Sequence, residues 1–390
     1  FWLKPFWLKF PGRHLPVSIG HISLRQDIMP LQSGHVFASH IGHTGKTTLC
    51  FQTSCFYAKR HPDVHVLVID FTEEGDLTKR LLGGVDSASK KADDLFGGVF
   101  RLLSHVRERT DAGLLSRWLF SQEVDIAQHA VRVADHNPNI PNNLFLMSSG
   151  AWPDPQQMEA EARRKLGTKI RDALEQSKTT WKLFCDTDGD RRPSDFTMIA
   201  YSLCMEAIVP LHLNKADLDR TETMLGMMHH LREQGEIETQ VLFIVWNCVK
   251  SLKDEPCSHR GQLGDLGLEL PFTPTKVCLS ILDDCNAKLY GFSQDLPGLF
   301  VHHEAGMAAF IQTSTFVQRQ LADNVLKPSE ELGMPFVTMV DQLEASGKKS
   351  MKFSSGSVEY DTKDSVIHGV SHAMLELEAK MEAMTLKLCR

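Results

Sequence analysis

One short stretch of the chain combines glycine, lysine and hydroxyl side chains in an order that suits phosphate binding. It reads Gly42-His43-Thr44-Gly45-Lys46-Thr47-Thr48, after an apolar run and before a helical pattern. Glycine lets backbone N–H groups turn toward phosphate oxygens, and the N-terminus of the following helix adds partial positive charge. In such a loop Lys46 reaches the β- and γ-phosphates and the Thr47 hydroxyl holds Mg²⁺. We therefore predict a phosphate loop at residues 42–48.

The match to the phosphate-loop pattern GxxxxGK[ST] is incomplete at its first position, where His40 stands in place of glycine. A bare Gly-Lys-Thr is a weak signal, so the strand before it and the helix after it support much of the interpretation. The alternative interpretation is a glycine turn that only caps a helix.

Polar residues stand at the ends of three further apolar runs: Asp70, Asp186 and Asn247. In open α/β sheets, ligands bind at the carboxyl ends of the strands. Asp70 is a candidate to act through water on Mg²⁺ or on an attacking water, and a helix cap is the alternative. Asp186 is the candidate for the Mg²⁺ shell. The Asn247 amide can donate and accept at once, which suits an adenine edge, although asparagine is more often a turn residue.

Short apolar runs with helical patterns between them predict an α/β fold with a doubly wound, mostly parallel sheet between two helical layers. The candidate strands are 35–39, 65–70, 143–147, 182–186, 207–211, 241–247 and 335–339. The candidate helices are 45–60, 155–178 and 216–234. Residues 252–275 mix glycine, proline and charge, which predicts an irregular segment.

The 390 residues suit one large α/β domain with additions. We divide them into an unassigned segment 1–30, a nucleotide-binding domain 31–345, a polar linker 346–363 and an amphipathic helix 364–390. Apolar residues recur in that helix at spacings of 3 and 4, namely Ile367, Val370, Met374, Leu377, Met381, Met384 and Leu388. Docking on its own domain is the favoured interpretation of this stripe. A protein partner or a homodimer seam is the alternative.

Composition narrows the function classes further. The net charge of −7 argues against a whole-chain basic field for nucleic acid, and no apolar run reaches the ~18–20 residues that span a bilayer. The nine cysteines are odd in number and form no CxxC pair, which predicts free thiols in a reducing, cytoplasmic setting. Association with DNA or a membrane surface is not supported. The histidine pairs 229–230 and 302–303 are interpreted as solvated or packed residues and not as metal ligands.

Taken in order, these segments resemble the ParA/MinD family of ATPases, which carry a deviant Walker A loop. The family's KGGxGKTT, VLLIDxDPQGNLT, DTPP, VP and late strand ending in Asn correspond to residues 41–48, 66–78, 186–189, 209–210 and 241–247. The resemblance covers about residues 33–345. It implies a P-loop fold, binding of ATP with Mg²⁺, and a nucleotide-dependent homodimer. Family members position plasmids, chromosomes, division sites or other cargo.

Two departures from the family pattern concern catalysis. The signature lysine, which reaches the partner's phosphates across the dimer, falls at Ile41, and the hydrolytic aspartate falls at Thr72. A threonine hydroxyl is a poor general base because it stays protonated at neutral pH. We therefore expect MgATP binding with slow or no hydrolysis. The alternative is a catalytically inactive nucleotide-binding scaffold or partner-docking module. A third hypothesis, a small-molecule kinase or a dethiobiotin synthetase-like ligase, requires an arginine-rich substrate lid, and none stands out.

Overall fold

The computed structural model describes residues 31–84, 126, 129–148, 160–189, 193–261, 268–302, 306–355 and 358–388. The unassigned segment 1–30 lies outside these ranges. The strands are β1 Leu31–Phe37, β2 His65–Asp70, β3 Val131–Arg132, β4 Leu144–Met147, β5 Trp181–Asp186, β6 Glu206–His212, β7 Gln240–Val249, β8 Ser251–Lys253, β9 Cys257–His259, β10 Leu268–Leu270, β11 Thr273–Pro274, β12 Thr315–Arg319, β13 Ser350–Ser355 and β14 Val358–Lys363. The helices are α1 Lys46–Arg60, α2 Asp76–Leu81, α3 Ala160–Glu175, α4 Asp195–Leu203, α5 Lys215–Glu233, α6 Lys276–Asp295, α7 Met307–Ser314, α8 Asp323–Glu331, α9 Phe336–Ser346 and α10 Asp364–Leu388.

Eight strands form the central sheet, in the order β12-β7-β6-β1-β5-β2-β4-β3. Its neighbouring strands are parallel, except that β3 runs antiparallel to β4 at the edge. The register places Phe37 of β1 and Asp70 of β2 on either side of Asp186 of β5. The carboxyl ends of the central strands therefore meet at one edge of the sheet. The predicted doubly wound, mostly parallel α/β fold is confirmed.

Helices cover both faces of this sheet, and strand β2 shows how the sequence arranges them. Val66 and Val68 join a buried cluster with side chains of α1, α2, α8, α9 and α10. Leu67 and Ile69 point the other way and join a second cluster with α3 to α7. Successive residues of a strand face opposite sides, so a strand buried on both faces is an unbroken apolar run. That pattern is what the sequence predicted for this strand.

One predicted strand is wrong. Residues 335–339 begin helix α9, which follows Pro335. The buried side chains Phe336, Met339 and Leu343 are spaced by 3 and 4 residues, which is a helical period. One edge of the sheet is formed by β12, which was not predicted. A short apolar run is compatible with either a strand or a buried turn of helix, and tertiary packing decides between them.

Two segments predicted as irregular or as a linker contain short strands. Residues 252–275 overlap two antiparallel pairs, β8 with β11 and β9 with β10. Residues 346–363 hold the antiparallel hairpin of β13 and β14, where Phe353 pairs with Tyr360. Strands this short and polar give little periodic signal, because most of their side chains face solvent.

Helix α10 packs on the chain's own domain, as the favoured interpretation of its stripe predicted. Ile367, Val370, Met374, Leu377 and Met381 are each at most 1% exposed. Helix α10 contacts α1, α9 and strand β12. These five residues of the stripe are thus already covered within the chain, and contact of the helix with a protein partner stays a prediction. In the ranges described, none of the helices combines the length and apolar character that crossing a membrane requires.

Candidate functional site

The phosphate loop leaves the end of β1 and enters α1, and its backbone turns sharply on the way. His43 has a φ of 62° and Gly45 has a φ of 93°, so both lie in the left-handed region. Gly45 precedes α1 and gives it no side-chain cap. Within the described ranges, no protein acceptor is hydrogen-bonded to the N–H groups of His43, Gly45 or Thr47. A turn of this kind with open amides at a helix N-terminus is an anion-binding concavity.

The side chain of Lys46 folds back over the same loop. Its ammonium donates to Ser39 Oγ over 2.9 Å and to the Ile41 carbonyl over 3.3 Å, and the residue is only 6% exposed. Ser39 in turn donates to the Ile41 carbonyl over 2.6 Å and accepts from Thr44 Oγ1 over 3.0 Å. The lysine is therefore held at the mouth of the loop. Ser39 was not predicted, and no motif position marks it.

Asp186 lies at the end of β5 beside this loop, and it is fully buried. Neither of its carboxylate oxygens accepts a hydrogen bond of good geometry from a described residue, although the Thr47 hydroxyl is close enough to favour its charged form. Burial and the nearby Asp70 charge raise the pKa of Asp186 to about 7, and this rise is opposed by the Thr47 hydroxyl and by the charges of Lys46 and Arg80. A buried carboxylate without donors is costly unless a cation or a proton occupies it. The residues here therefore fit a bound Mg²⁺, with Asp186 and Thr47 as its protein oxygens.

Asp70 lies next to Asp186 in the sheet, but its contacts are different. Oδ1 accepts from the backbone and hydroxyl of Thr72 over 3.0 and 2.6 Å, and Oδ2 accepts from the backbone and hydroxyl of Thr78 over 2.8 and 2.7 Å. A carboxylate has about four acceptor positions, so these bonds saturate it. Asp70 closes the turn after β2 and caps α2. The contacts favour this capping role over the predicted catalytic role.

Thr72, where the resemblance places a hydrolytic aspartate, also has its hydroxyl in hydrogen bonds. Its hydroxyl donates to Asp70 and accepts from the Gly75 backbone over 3.1 Å. The residue is 6% exposed. Glu73 and Glu74, the acidic residues that follow, are exposed. Thr72 is therefore a structural part of the turn.

The segment after β5 packs against the phosphate loop. Thr187 Oγ1 donates to the Phe37 carbonyl over 2.8 Å. At Gly189 a Cβ atom would lie 2.3 Å from the Ile41 carbonyl oxygen and 2.6 Å from the Gly42 nitrogen. Only glycine permits this approach without a shift of backbone. The segment thus supports the loop from the side of Asp186.

Asn247 is at the site, but its partners are not those predicted. The side-chain amide donates to the Thr44 carbonyl over 2.8 Å, and its oxygen accepts from the Cys248 backbone over 2.9 Å. Asn247 is 6% exposed. Both polar ends of the amide are therefore used within the protein. In this geometry the residue positions the phosphate loop, and its contact with an adenine edge stays a prediction.

Thr48 joins the site to two residues that the sequence did not indicate. Its hydroxyl donates to Glu330 Oε1 over 2.9 Å and accepts from Arg80 Nη1 over 2.8 Å. Arg80 also pairs with Glu330, at 3.0 Å. Glu330 is 282 residues away from Thr48 in the chain, so no local pattern reveals the contact. The Thr48 hydroxyl thereby links α1 to Arg80 of α2 and to Glu330 of α8.

Solved structures that are similar to this chain share few of its residues. Similar structures include an ATP complex of a Cyanothece McdA variant, at 14% identity over 82% of this chain and 98% of that one, with a TM-score of 0.49. A ParA family ATPase from Chlorobium tepidum has 13% identity over 90% and 98% of the two chains and a TM-score of 0.45. MinD with Mg-ADP from Pyrococcus horikoshii has 13% identity over 90% and 95% and a TM-score of 0.42.

Identities of this size concern the fold alone. No protein-family model and no curated protein sequence matches the chain.

Proposed function

We propose that this chain binds ATP with Mg²⁺ at residues 42–48 and hydrolyses it slowly or not at all. The observation that supports this most directly is Asp186, a fully buried carboxylate without a hydrogen-bond donor, beside a loop with open amides. The loop amides and Lys46 would hold the phosphates, and Thr47 and Asp186 would hold the metal. Bound Mg²⁺ would neutralise phosphate charge there.

The proposal of weak hydrolysis rests on three side chains. Asp70 already accepts four hydrogen bonds, and the Thr72 hydroxyl donates to it. Ile41 is apolar, so it offers no cation to a transferring phosphoryl group. General-base and charge-stabilising groups typically supply orders of magnitude in rate. Positions 41, 70 and 72 offer neither a free general base nor a cation. ATP binding is therefore better supported than ATP turnover.

A nucleotide-dependent homodimer that positions a cargo is the finer form of this proposal, and a non-catalytic nucleotide sensor is its alternative. The two differ in turnover: a positioning ATPase needs hydrolysis to reset its state, whereas a sensor needs only binding and release. Because the supporting groups for hydrolysis are missing at positions 41 and 72, we favour the sensor within the same nucleotide-binding fold.

Equilibrium binding of labelled ATP tests the proposal. The wild-type chain should bind ATP more tightly with Mg²⁺ than with EDTA, and Lys46→Ala should lose most of this affinity. Lys59→Ala is the matched control, because Lys59 lies on the same helix but pairs with Asp341 at the surface. Equal ATP binding by the wild type and Lys46→Ala would show that residues 42–48 do not bind the phosphates of ATP. Steady-state turnover typical of an ordinary ATPase, at about 1 s⁻¹ or more, would contradict weak hydrolysis.

A further inference from the structure

A second cluster of ligand-type side chains lies at the other end of α1 from the phosphate loop. Helix α1 has 15 residues, which spans about 22 Å at 1.5 Å per residue. Just after it, His61 faces Glu378 and Glu382 of α10. Within the ranges described, these three residues are the single group whose nitrogen and carboxylate oxygens lie within 4.8 Å of one another.

The distances converge on one nitrogen. His61 Nε2 lies 2.8 Å from Glu382 Oε1 and 3.7 Å from Glu378 Oε1. Glu378 and Glu382 are four residues apart, so they share one face of α10. The His61 ring stacks on Tyr57 with centroids 4.3 Å apart, and the Tyr57 hydroxyl donates to Gln32 over 2.6 Å. The imidazole is therefore held with Nε2 toward the two carboxylates.

The remaining oxygens of the pair face an arginine. Arg60 Nη1 contacts Glu378 Oε2, and Arg60 Nη2 lies 3.7 Å from Glu382 Oε2. Each carboxylate thus has the guanidinium on one oxygen and the imidazole on the other. Two carboxylates against one guanidinium leave a net charge of about −1 when His61 is neutral.

The burial of Glu378 is a separate observation that favours cation binding by this cluster. Its side chain is fully buried, and Oε1 receives no hydrogen bond from any described residue. A buried oxygen without a donor carries a desolvation cost that a bound cation removes.

We propose that His61, Glu378 and Glu382 bind a divalent transition-metal ion of the Zn²⁺ type. One imidazole nitrogen and two carboxylate oxygens form a donor set that suits Zn²⁺ or Mn²⁺, whereas Mg²⁺ prefers oxygen alone. The ion would displace any proton on His61, and Arg60 would remain on the outer oxygens of the ligands, as outer partners commonly do. Such an ion would link α10 to the C-terminal end of α1, the helix that begins at the phosphate loop.

Titration of the full-length, EDTA-treated chain with Zn²⁺ tests this site. We expect one equivalent to bind by calorimetry, a rise in Tm, and a visible absorption band when Co²⁺ replaces Zn²⁺. Glu382→Gln and His61→Ala should each weaken Zn²⁺ binding by more than about 100-fold, because changes to outer partners alone cost about 10- to 100-fold. Lys46→Ala should bind Zn²⁺ as the wild type does, which separates this site from nucleotide binding.

His372→Gln is the matched control. His372 pairs with Glu376 four residues along the same helix, at 3.4 Å, and is exposed. This variant should leave Zn²⁺ affinity and the Tm shift unchanged. Glu382 is partly exposed, so Glu382→Gln keeps the test valid if Glu378→Gln fails to fold. Absence of Zn²⁺ binding below about 100 μM, or equal binding by Glu382→Gln, would show that the cluster is only an ion-pair network of Arg60 and His61.

Discussion

The side-chain amide of Asn247, at the end of β7, donates a hydrogen bond to the Thr44 carbonyl in the phosphate loop over 2.8 Å. The approach depends on Gly45, where a Cβ atom would lie 2.3 Å from the Asn247 nitrogen. Gly45 also needs its left-handed φ of 93°. The strand end and the loop thus constrain each other.

The first prediction concerns this contact. Asn247→Ala removes the donor to the buried Thr44 carbonyl and the acceptor for the Cys248 backbone N–H, so both groups lose these partners. A lost buried hydrogen bond costs about 1–2 kcal/mol, so we expect ATP affinity to fall by about 5- to 30-fold. Calorimetric titration with MgATP measures this change. Asn324→Ala, which alters a side-chain amide at a distant position near Asp361, should bind ATP as the wild type does.

The phosphate loop and the strand ends could be predicted from the sequence because residues close together in the chain define them. Glycine, lysine and threonine at a strand-to-helix turn define a loop within a few residues, and parallel strands bring Asp70, Asp186 and Asn247 to one edge. The roles of these three residues were harder to predict. Whether a carboxylate is saturated, as Asp70 is, or lacks donors, as Asp186 does, depends on which side chains pack beside it.

Contacts between distant parts of the chain were beyond sequence reasoning for the same reason. Glu330 contacts Thr48 across 282 residues and also pairs with Arg80, and no spacing rule relates these residues. Strand β12 and helix α9 show the corresponding limit for secondary structure, since both are short apolar runs whose form is decided by packing. In contrast, the periodic stripe of α10 predicted both its helix and its buried face.

The second prediction compares two glycines. Gly189→Ala places a Cβ atom 2.3 Å from the Ile41 carbonyl oxygen, so the segment after β5 or the phosphate loop must move. Overpacking of this kind costs about 1–3 kcal/mol, and we expect lower Tm together with weaker ATP binding. Gly226→Ala is the control, because no atom lies within 4 Å of its Cβ position and it is inside α5.

In a helix, alanine is about 0.8–1.0 kcal/mol more favourable than glycine, so Gly226→Ala should raise Tm and leave ATP affinity unchanged. Normal ATP affinity and Tm in Gly189→Ala would show that the segment after β5 does not shape the loop.

The third prediction follows from the raised pKa of Asp186. The folded value is about 7 and the unfolded value is 3.8, so the folded chain binds this proton more tightly. Its contribution to stability is therefore complete below about pH 4, falls as pH rises to about 7, and then stays constant. Asp186→Asn should remove this dependence of stability on pH, because asparagine does not titrate. We expect the free energy of unfolding at pH 8, without nucleotide, to rise by about 2–4 kcal/mol relative to wild type.

The same variant should bind ATP with little response to Mg²⁺, because one of the proposed metal oxygens is gone. Denaturant unfolding of both chains at pH 5 and pH 8 gives the stability difference, and the comparison cancels the titration of other groups. A variant less stable than wild type at pH 8 would show that the folded chain already satisfies this carboxylate. Greater stability with lost Mg²⁺ response is the combination that a ligand site predicts.

The fourth prediction concerns Thr72, the position at which the sequence resemblance places a catalytic aspartate. Thr72→Asp would place a second carboxylate at hydrogen-bonding distance from Asp70, now 2.6 Å from the Thr72 hydroxyl, and would remove that donor. Like charges in a buried site disfavour each other. We expect a loss of about 1–3 kcal/mol in stability and no gain in ATP turnover. Thr72→Ser keeps the hydroxyl and should resemble the wild type in both stability and ATP turnover.

Single-turnover hydrolysis and denaturant unfolding measure the two effects. Faster hydrolysis by Thr72→Asp with unchanged stability would show that position 72 can supply a base, and that the chain is an ATPase lacking one group.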